Sequence, residues 1–308
     1  MATLPLPEDA QAWDAYFVRC VALAEVEQYD RAEPDCLRVL DLNPRHFASL
    51  AQLADIAFER GEYEAGIDYT SQVLEIQTDN VDALVNRGTA YRLLRRHEEA
   101  EADLTRALQL EPENATAYGE RAIARLYLDR PGEAMADANR AVSLDQGQLD
   151  TRLFVGRYAG NYDTAVDDAT TLMRLEGGAT PYLLSARGLA YLEKGELERG
   201  LEDIDRALNV DRGYAAGYDR RAYAYFLMGD YERAQADLDE AMRGLATLPP
   251  QGRAELHYHC ALLLQAQGEL EAALADLDEA AKLVEVPGVR RAIEELRSSL
   301  EGGGTAAR

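Results

Sequence analysis

The chain has little to build a metal or thiol site from: 3 cysteines, 4 histidines and 1 tryptophan among 308 residues. His257, His259 and Cys260 look like a zinc half-site as text. On a helix, however, His257 and His259 point about 200° apart, so they cannot converge on one ion without ligands from another element. His46 and His97 stand apart from them, at a repeat junction and in a turn. There is no glycine-rich phosphate loop and no nucleophile elbow, and carboxylate pairs recur along the chain without one spacing set apart from the rest. These absences leave no catalytic residue, metal or cofactor to name, and the expectation is a protein that is not an enzyme.

Basic charge is scarce as well. Against 56 acidic residues stand 32 basic ones, almost all arginine, for a net charge of −24. Such a surface repels phosphate backbones and anionic lipid, which argues against nucleic-acid and membrane-surface binding. A basic or apolar segment of another protein is the favoured partner, although excess acid also serves simply to keep a long exposed surface soluble. No apolar run reaches membrane-spanning length, so no membrane insertion is expected. The opening "MATLPLPEDAQAW" lacks the basic and apolar regions of a signal peptide, and a cytoplasmic protein is expected. Cys20 and Cys36 accordingly read as small buried hydrophobes rather than as a disulfide.

What the chain has in abundance is self-similarity. Laid out from Trp13, Phe47, Val81, Ala115, Leu149, Pro181, Ala215 and Ala254, it reads eight times in a unit of about 34 residues. One column holds Ala32, Gly66, Ala100, Ala134, Ala165, Gly200, Ala234 and Ala273. Twelve positions earlier stand Cys20, Ala54, Gly88, Ala122, Leu153, Gly188, Ala222 and Ala261, small in every copy but the fifth. Two helices approach closely only where side chains are minimal, so these columns predict a helix crossing. Between them Gly61, Gly160, Gly195, Gly229 and Gly268 mark a turn, since glycine just past a helix end takes the left-handed conformation. Each block is helix, turn, helix.

A second pattern lies inside the blocks. Sixteen residues separate Arg19 from Asp35, Arg87 from Asp103, Arg121 from Asp137, Arg152 from Asp168, Arg187 from Asp203 and Arg221 from Asp237. The second block carries Leu53 and Tyr69 there, losing both charges together, and the eighth sets Cys260 opposite Asp276. Each pair flanks the small crossing, which predicts an ion pair within each hairpin, an arginine fork on a partly buried carboxylate. The competing reading is that these arginines line a groove for acidic ligands.

Segments such as "RGTAYRLLRRHEEAEADLTRALQLEPEN" and "RRAYAYFLMGDYERAQADLDEAM" resemble the tetratricopeptide repeat family over roughly residues 13–287. The resemblance implies an all-α fold, a right-handed superhelical solenoid of about eight helix-turn-helix repeats plus a C-terminal capping helix. The repeats fall at 13–46, 47–80, 81–114, 115–148, 149–180, 181–214, 215–248 and 254–287, after a short tail at 1–12. The segment 288–301, with Val289, Ile293, Leu296 and Leu300 at helical spacing, is the expected cap, and 302–308 a disordered tail. Repeat five is shortened and ends in Gly177-Gly178, which predicts a joint near 145–160; Pro249-Pro250-Gln251-Gly252 predicts a second.

In this family the first helices line a concave groove, reached by positions two, five, six, nine, twelve and thirteen of each block. Carried over, those positions make Phe17, Phe58, Arg92, Tyr127, Phe154, Arg157, Tyr182, Tyr223, Phe226 and Tyr258 the peptide-groove candidates. Some, Phe58 and Phe226 above all, could instead pack between neighbouring repeats. A chaperone acidic-tail clamp is not expected: Asn86 and Arg220 match the family's clamp in isolation, but Ala51, Asp55, Thr116 and Glu120 around Asn86 do not. The expected function is a non-enzymatic adaptor or scaffold that binds a peptide or helical segment in its groove. The alternative is a structural subunit assembled through its convex face or ends, and the oligomeric state stays open.

Overall fold

The computed structural model describes residues 13–303, with side chains described through Glu301, and every regular element in that span is helical. The chain divides into two compact units between Ala124 and Arg125. In the first, α1 (Trp13–Ala24) packs on α2 (Tyr29–Leu42), α3 (Phe47–Glu59) on α4 (Tyr63–Ile76), and α5 (Val81–Leu93) on α6 (His97–Leu110). The helix α7 (Ala115–Tyr127) contains the division. The second unit begins with α8 (Pro131–Leu144) and continues with α9 (Leu149–Tyr158) on α10 (Tyr162–Leu175) and α11 (Pro181–Glu193) on α12 (Leu197–Val210). It ends with α13 (Ala215–Leu227) on α14 (Tyr231–Arg243), α15 (Pro250–Gln267) on α16 (Leu270–Leu283), and α17 (Pro287–Gly303), which packs on α15 and α16.

Local signals start and stop these helices. The side chains of Asn80, Asn114 and Thr180 accept the backbone N–H of Ala83, Ala117 and Leu183 at 2.9, 2.9 and 3.2 Å, satisfying donors that a helix start leaves open. At the hairpin turns Glu27, Gly61, Arg95, Asp129, Gly160, Gly195, Gly229 and Gly268 all have positive φ, between 58 and 83°. The next residue's N–H then reaches back to a carbonyl five residues earlier, at 2.7 to 2.9 Å in all eight, from Gln28 to Leu23 through Glu269 to Leu264. This is the left-handed helix ending that favours glycine.

Both small columns are buried at the crossings; Ala32, Ala100, Ala134, Ala165, Ala234 and Ala273 have no exposed surface. Gly188 and Gly200 face each other so closely that a Cβ on either would come within 2.9 Å of the other's carbonyl oxygen. In the fifth copy Leu153 is buried at the crossing and packs on Ala165 and Ala169.

One expectation is overturned. Cys20 and Cys36 are not separate thiols but a disulfide, with Cα atoms 5.6 Å apart. The sixteen-residue register that brings Arg19 to Asp35 brings their neighbours Cys20 and Cys36 together, and cysteine usage no longer speaks for a reducing compartment. Near 145–160 a 3₁₀ turn, Gln146–Gln148, stands before α9, which has 10 residues where α5 and α11 have 13. Pro249-Pro250-Gln251-Gly252 becomes the cap and first turn of α15, where the Gln251 side-chain oxygen accepts the backbone N–H of Glu285 at 3.2 Å. The segment expected as a cap over 288–301 is helical from Pro287 to Gly303, taking in two glycines that the sequence assigns to the tail. Residues 1–12 and 304–308 lie outside the described residues.

Candidate functional site

In the second unit the first helices of successive hairpins pack side by side, α11 on α13 and α13 on α15. Against this wall lies a cavity of about 480 Å³. The end of α9 contributes Arg157 and Tyr158, the start of α10 Tyr162, α11 Leu189 and Glu193, α13 Tyr223, and α15 Glu255, Tyr258 and His259. The first turns of α17 complete the lining with Gly288, Val289, Arg291 and Ala292. Arg291 pairs with Asp129, the left-handed residue of the turn before α8, so the two ends of the unit meet beside the cavity.

The charges on this lining are mostly matched. Arg157 donates to Glu255 at 2.9 Å, across 98 residues of sequence, with both side chains about 15% exposed. Tyr158 donates its hydroxyl to the same carboxylate, and the Arg157 guanidinium lies 4.0 Å from the Tyr158 ring centroid. Burial opposes ionisation of Glu255, yet Arg157 and hydrogen bonds from Tyr158 and Gln251 hold it below the usual carboxylate range. His259 stacks on Tyr223 with ring centroids 4.5 Å apart, and its Nδ1 lies 2.7 Å from Asp219. Burial disfavours the charged imidazole, but Asp219, helped by Glu255 and Glu193, holds the His259 pKa above the ordinary histidine value. Burial raises the phenols of Tyr223, Tyr258 and Tyr162, with Glu193 adding to each.

Of the ten groove candidates, Arg157, Tyr223 and Tyr258 line this cavity. The other seven lie elsewhere. Phe17 packs edge-on against His46 at 4.9 Å, Phe58 lies over Gly66, and Arg92 is paired with Glu120 at 2.5 Å. Phe154 meets Tyr158 edge-on at 4.9 Å, Tyr182 is exposed with its hydroxyl 3.3 Å from Asp150, and Phe226 is half-buried against the core shared by α13, α14 and α15. Tyr127 is half-buried at the end of α7. Sequence reasoning passed over Glu193 and Glu255 and weighed His259 only as a metal ligand, although each falls on one of the inward positions of its block, the thirteenth, second and sixth.

The ion-pair candidates fall within hairpins. Arg19 grips Asp35, Arg87 Asp103, Arg152 Asp168, Arg187 Asp203 and Arg221 Asp237, each with two hydrogen bonds of 2.5 to 2.9 Å. Arg121 belongs to the first unit, where it donates to Thr105 at 3.1 Å; Asp137 belongs to the second, where Arg125 donates to it at 2.8 Å. In the eighth copy His257, not Cys260, meets Asp276, at 2.8 Å. The two histidines of the apparent zinc half-site thus bond to different carboxylates, and among the described residues no group of three His, Cys, Asp or Glu is placed to hold a metal. Asn86 faces Asp55 at 3.5 Å. Among the described residues no helix is long and apolar enough to cross a membrane.

Helical hairpins with a recurring left-handed turn and small-residue crossing define an all-α helical-repeat protein. Models of the tetratricopeptide repeat match residues 21–81, 81–114 and 215–243. The chain belongs to the tetratricopeptide-repeat proteins, and its fold is that of a protein–protein interaction scaffold. U-box domain-containing protein 70 of Oryza sativa subsp. japonica is 36% identical over 63 residues, 20% of this chain and 8% of that protein. Outer dynein arm-docking complex subunit 4 of Mus musculus is 32% identical over 75 residues, 24% of this chain and 12% of that protein. The alignments thus span only about a tenth of the length of these curated relatives. Among solved structures, a tetratricopeptide repeat protein from Parabacteroides merdae ATCC 43184 has a TM-score of 0.52 at 19% identity, covering 94% of this chain and 99% of its own. The APC/C hetero-tetramer Cut9-Hcn1 gives 0.55 at 14% identity, covering 86% and 52%. These are likenesses of fold.

Proposed function

We propose that the chain is an adaptor of eight repeats, with α17 as the cap on the last, that holds a segment of a partner protein against the inner wall of its second unit. The observation that carries this reading is the cavity of about 480 Å³ walled by α9, α11, α13 and α15. Its size and its mix of aromatic rings with a few charged groups suit capture of side chains from a peptide or helix. The net charge of −24 favours a basic or apolar segment over an acidic one.

Selection from a random displayed-peptide library on the intact protein tests it. Selected peptides should lose binding to Tyr258→Ala and Tyr162→Leu, which alter the cavity, and keep it for Glu198→Arg and Glu232→Arg, which change exposed positions on α12 and α14. The opposite pattern would overturn the reading.

A further inference from the structure

Pairing off the charges on the cavity wall leaves one residue over. Arg157 is matched by Glu255, Arg291 by Asp129 and His259 by Asp219. Glu193 lines the same cavity, is exposed, and among the described residues forms no ion pair. Its sequence neighbour Lys194 is turned away, bound to Asp163 at 2.5 Å and Glu196 at 2.8 Å. Around Glu193 stand three phenol rings. Tyr162 reaches it with its hydroxyl at 3.5 Å, and Tyr223 and Tyr258 line the same cavity, where the Glu193 carboxylate adds to burial in raising both phenols. His259 stacks on one face of the Tyr223 ring, with centroids 4.5 Å apart, and both line the cavity.

A carboxylate set among tyrosine side chains is a receptor for a cation. The carboxylate supplies a charge-assisted hydrogen bond and the rings supply cation–π attraction, which strengthens as water is displaced. An anion would meet an uncompensated negative charge, and a purely apolar group would bury that charge without a counter-charge. We propose that Glu193, Tyr162, Tyr223 and Tyr258 form a pocket for one basic side chain, arginine or lysine, carried by the partner's segment. This rests on the groove reading above and adds to it the chemistry of the residue that anchors the segment.

Titration of the intact protein by NMR with N-acetyl-arginine methylamide, its lysine counterpart and the neutral isostere N-acetyl-citrulline methylamide tests the pocket directly. The two basic probes should bind, with citrulline weaker by about tenfold or more, the loss expected when a hydrogen bond to a charged group disappears. Glu193→Gln should weaken the basic probes to the same extent and leave the melting temperature unchanged, and Tyr162→Leu should weaken them several-fold. Equal binding of arginine and citrulline, or undiminished arginine binding by Glu193→Gln, overturns the proposal. The two readings fail separately. Selected peptides that depend on the cavity but carry no basic residue and ignore Glu193→Gln sink the pocket alone. Basic probes that bind at Glu193 while no peptide uses the cavity uphold the pocket and sink the groove.

Discussion

Glu27, Arg95 and Asp129 hold φ values of 58, 62 and 61° at the turn position that glycine occupies in the five sister hairpins. A Cβ in that conformation costs about 1 kcal/mol, which the back-reaching hydrogen bond of the turn offsets. Glu27→Gly should therefore stabilise the first unit by up to about 1 kcal/mol, seen as a higher urea midpoint; an unchanged or lower midpoint would mean the side chain contributes more than its backbone loses. His259 makes a pH prediction. Its pKa is raised in the folded protein against the opposition of burial, because Asp219 lies 2.7 Å away. A raised native pKa means that this pair's stabilisation is fully present below the unfolded histidine value, near ~6.5, and is lost as pH rises through the native one. The stability difference between wild type and His259→Gln should shrink between mildly acidic and alkaline buffer, and a difference independent of pH would contradict the assignment.

At the scale of the hairpin, the Arg–Asp register could be read directly because both partners sit on one repeat unit, at fixed positions beside the crossing. Arg87 and Asp103 are 19% and 12% exposed, so removing one leaves the other partly buried without its partner. Arg87→Leu or Asp103→Tyr alone should cost about 3 kcal/mol, whereas the double change, which copies Leu53 and Tyr69 of the second hairpin, should cost less than either. Thermal unfolding of the three variants decides it; additive losses would show the charges acting independently. The same register carries Cys20 to Cys36, yet the pairing was not legible, since a small buried cysteine and a bonded one occupy a crossing equally well in sequence. Non-reducing peptide mapping should recover the bridge, and its reduction should lower the stability of the first unit by about 3 kcal/mol, as expected for a loop of this length.

At the scale of the whole molecule, α17 packs its Ile293 and Leu300 with Ala261, Ala273, Leu277 and Ala280 of the last hairpin. Ile293 is 1% exposed, so Ile293→Asp should cost about 3 kcal/mol or more by burying an unpaired charge. Loss of hydrogen-exchange protection in α15 and α16, with increased light scattering, is the expected signature; unchanged protection would mean that α17 covers nothing essential. The sequence alone determined the helices, the turns marked by glycine, the crossings and five of the six ion pairs it named, because each is made within one unit of about 34 residues and recurs often enough to be seen. The cavity was decided by tertiary structure. It requires Arg157 to meet Glu255 across 98 residues and Arg291 to meet Asp129 across 162, distances over which small rotations between successive hairpins add up. A repeat pattern encodes what each hairpin does to the next; the sum of those steps, and so which inward residues finally face one another, appears only when the second unit is assembled.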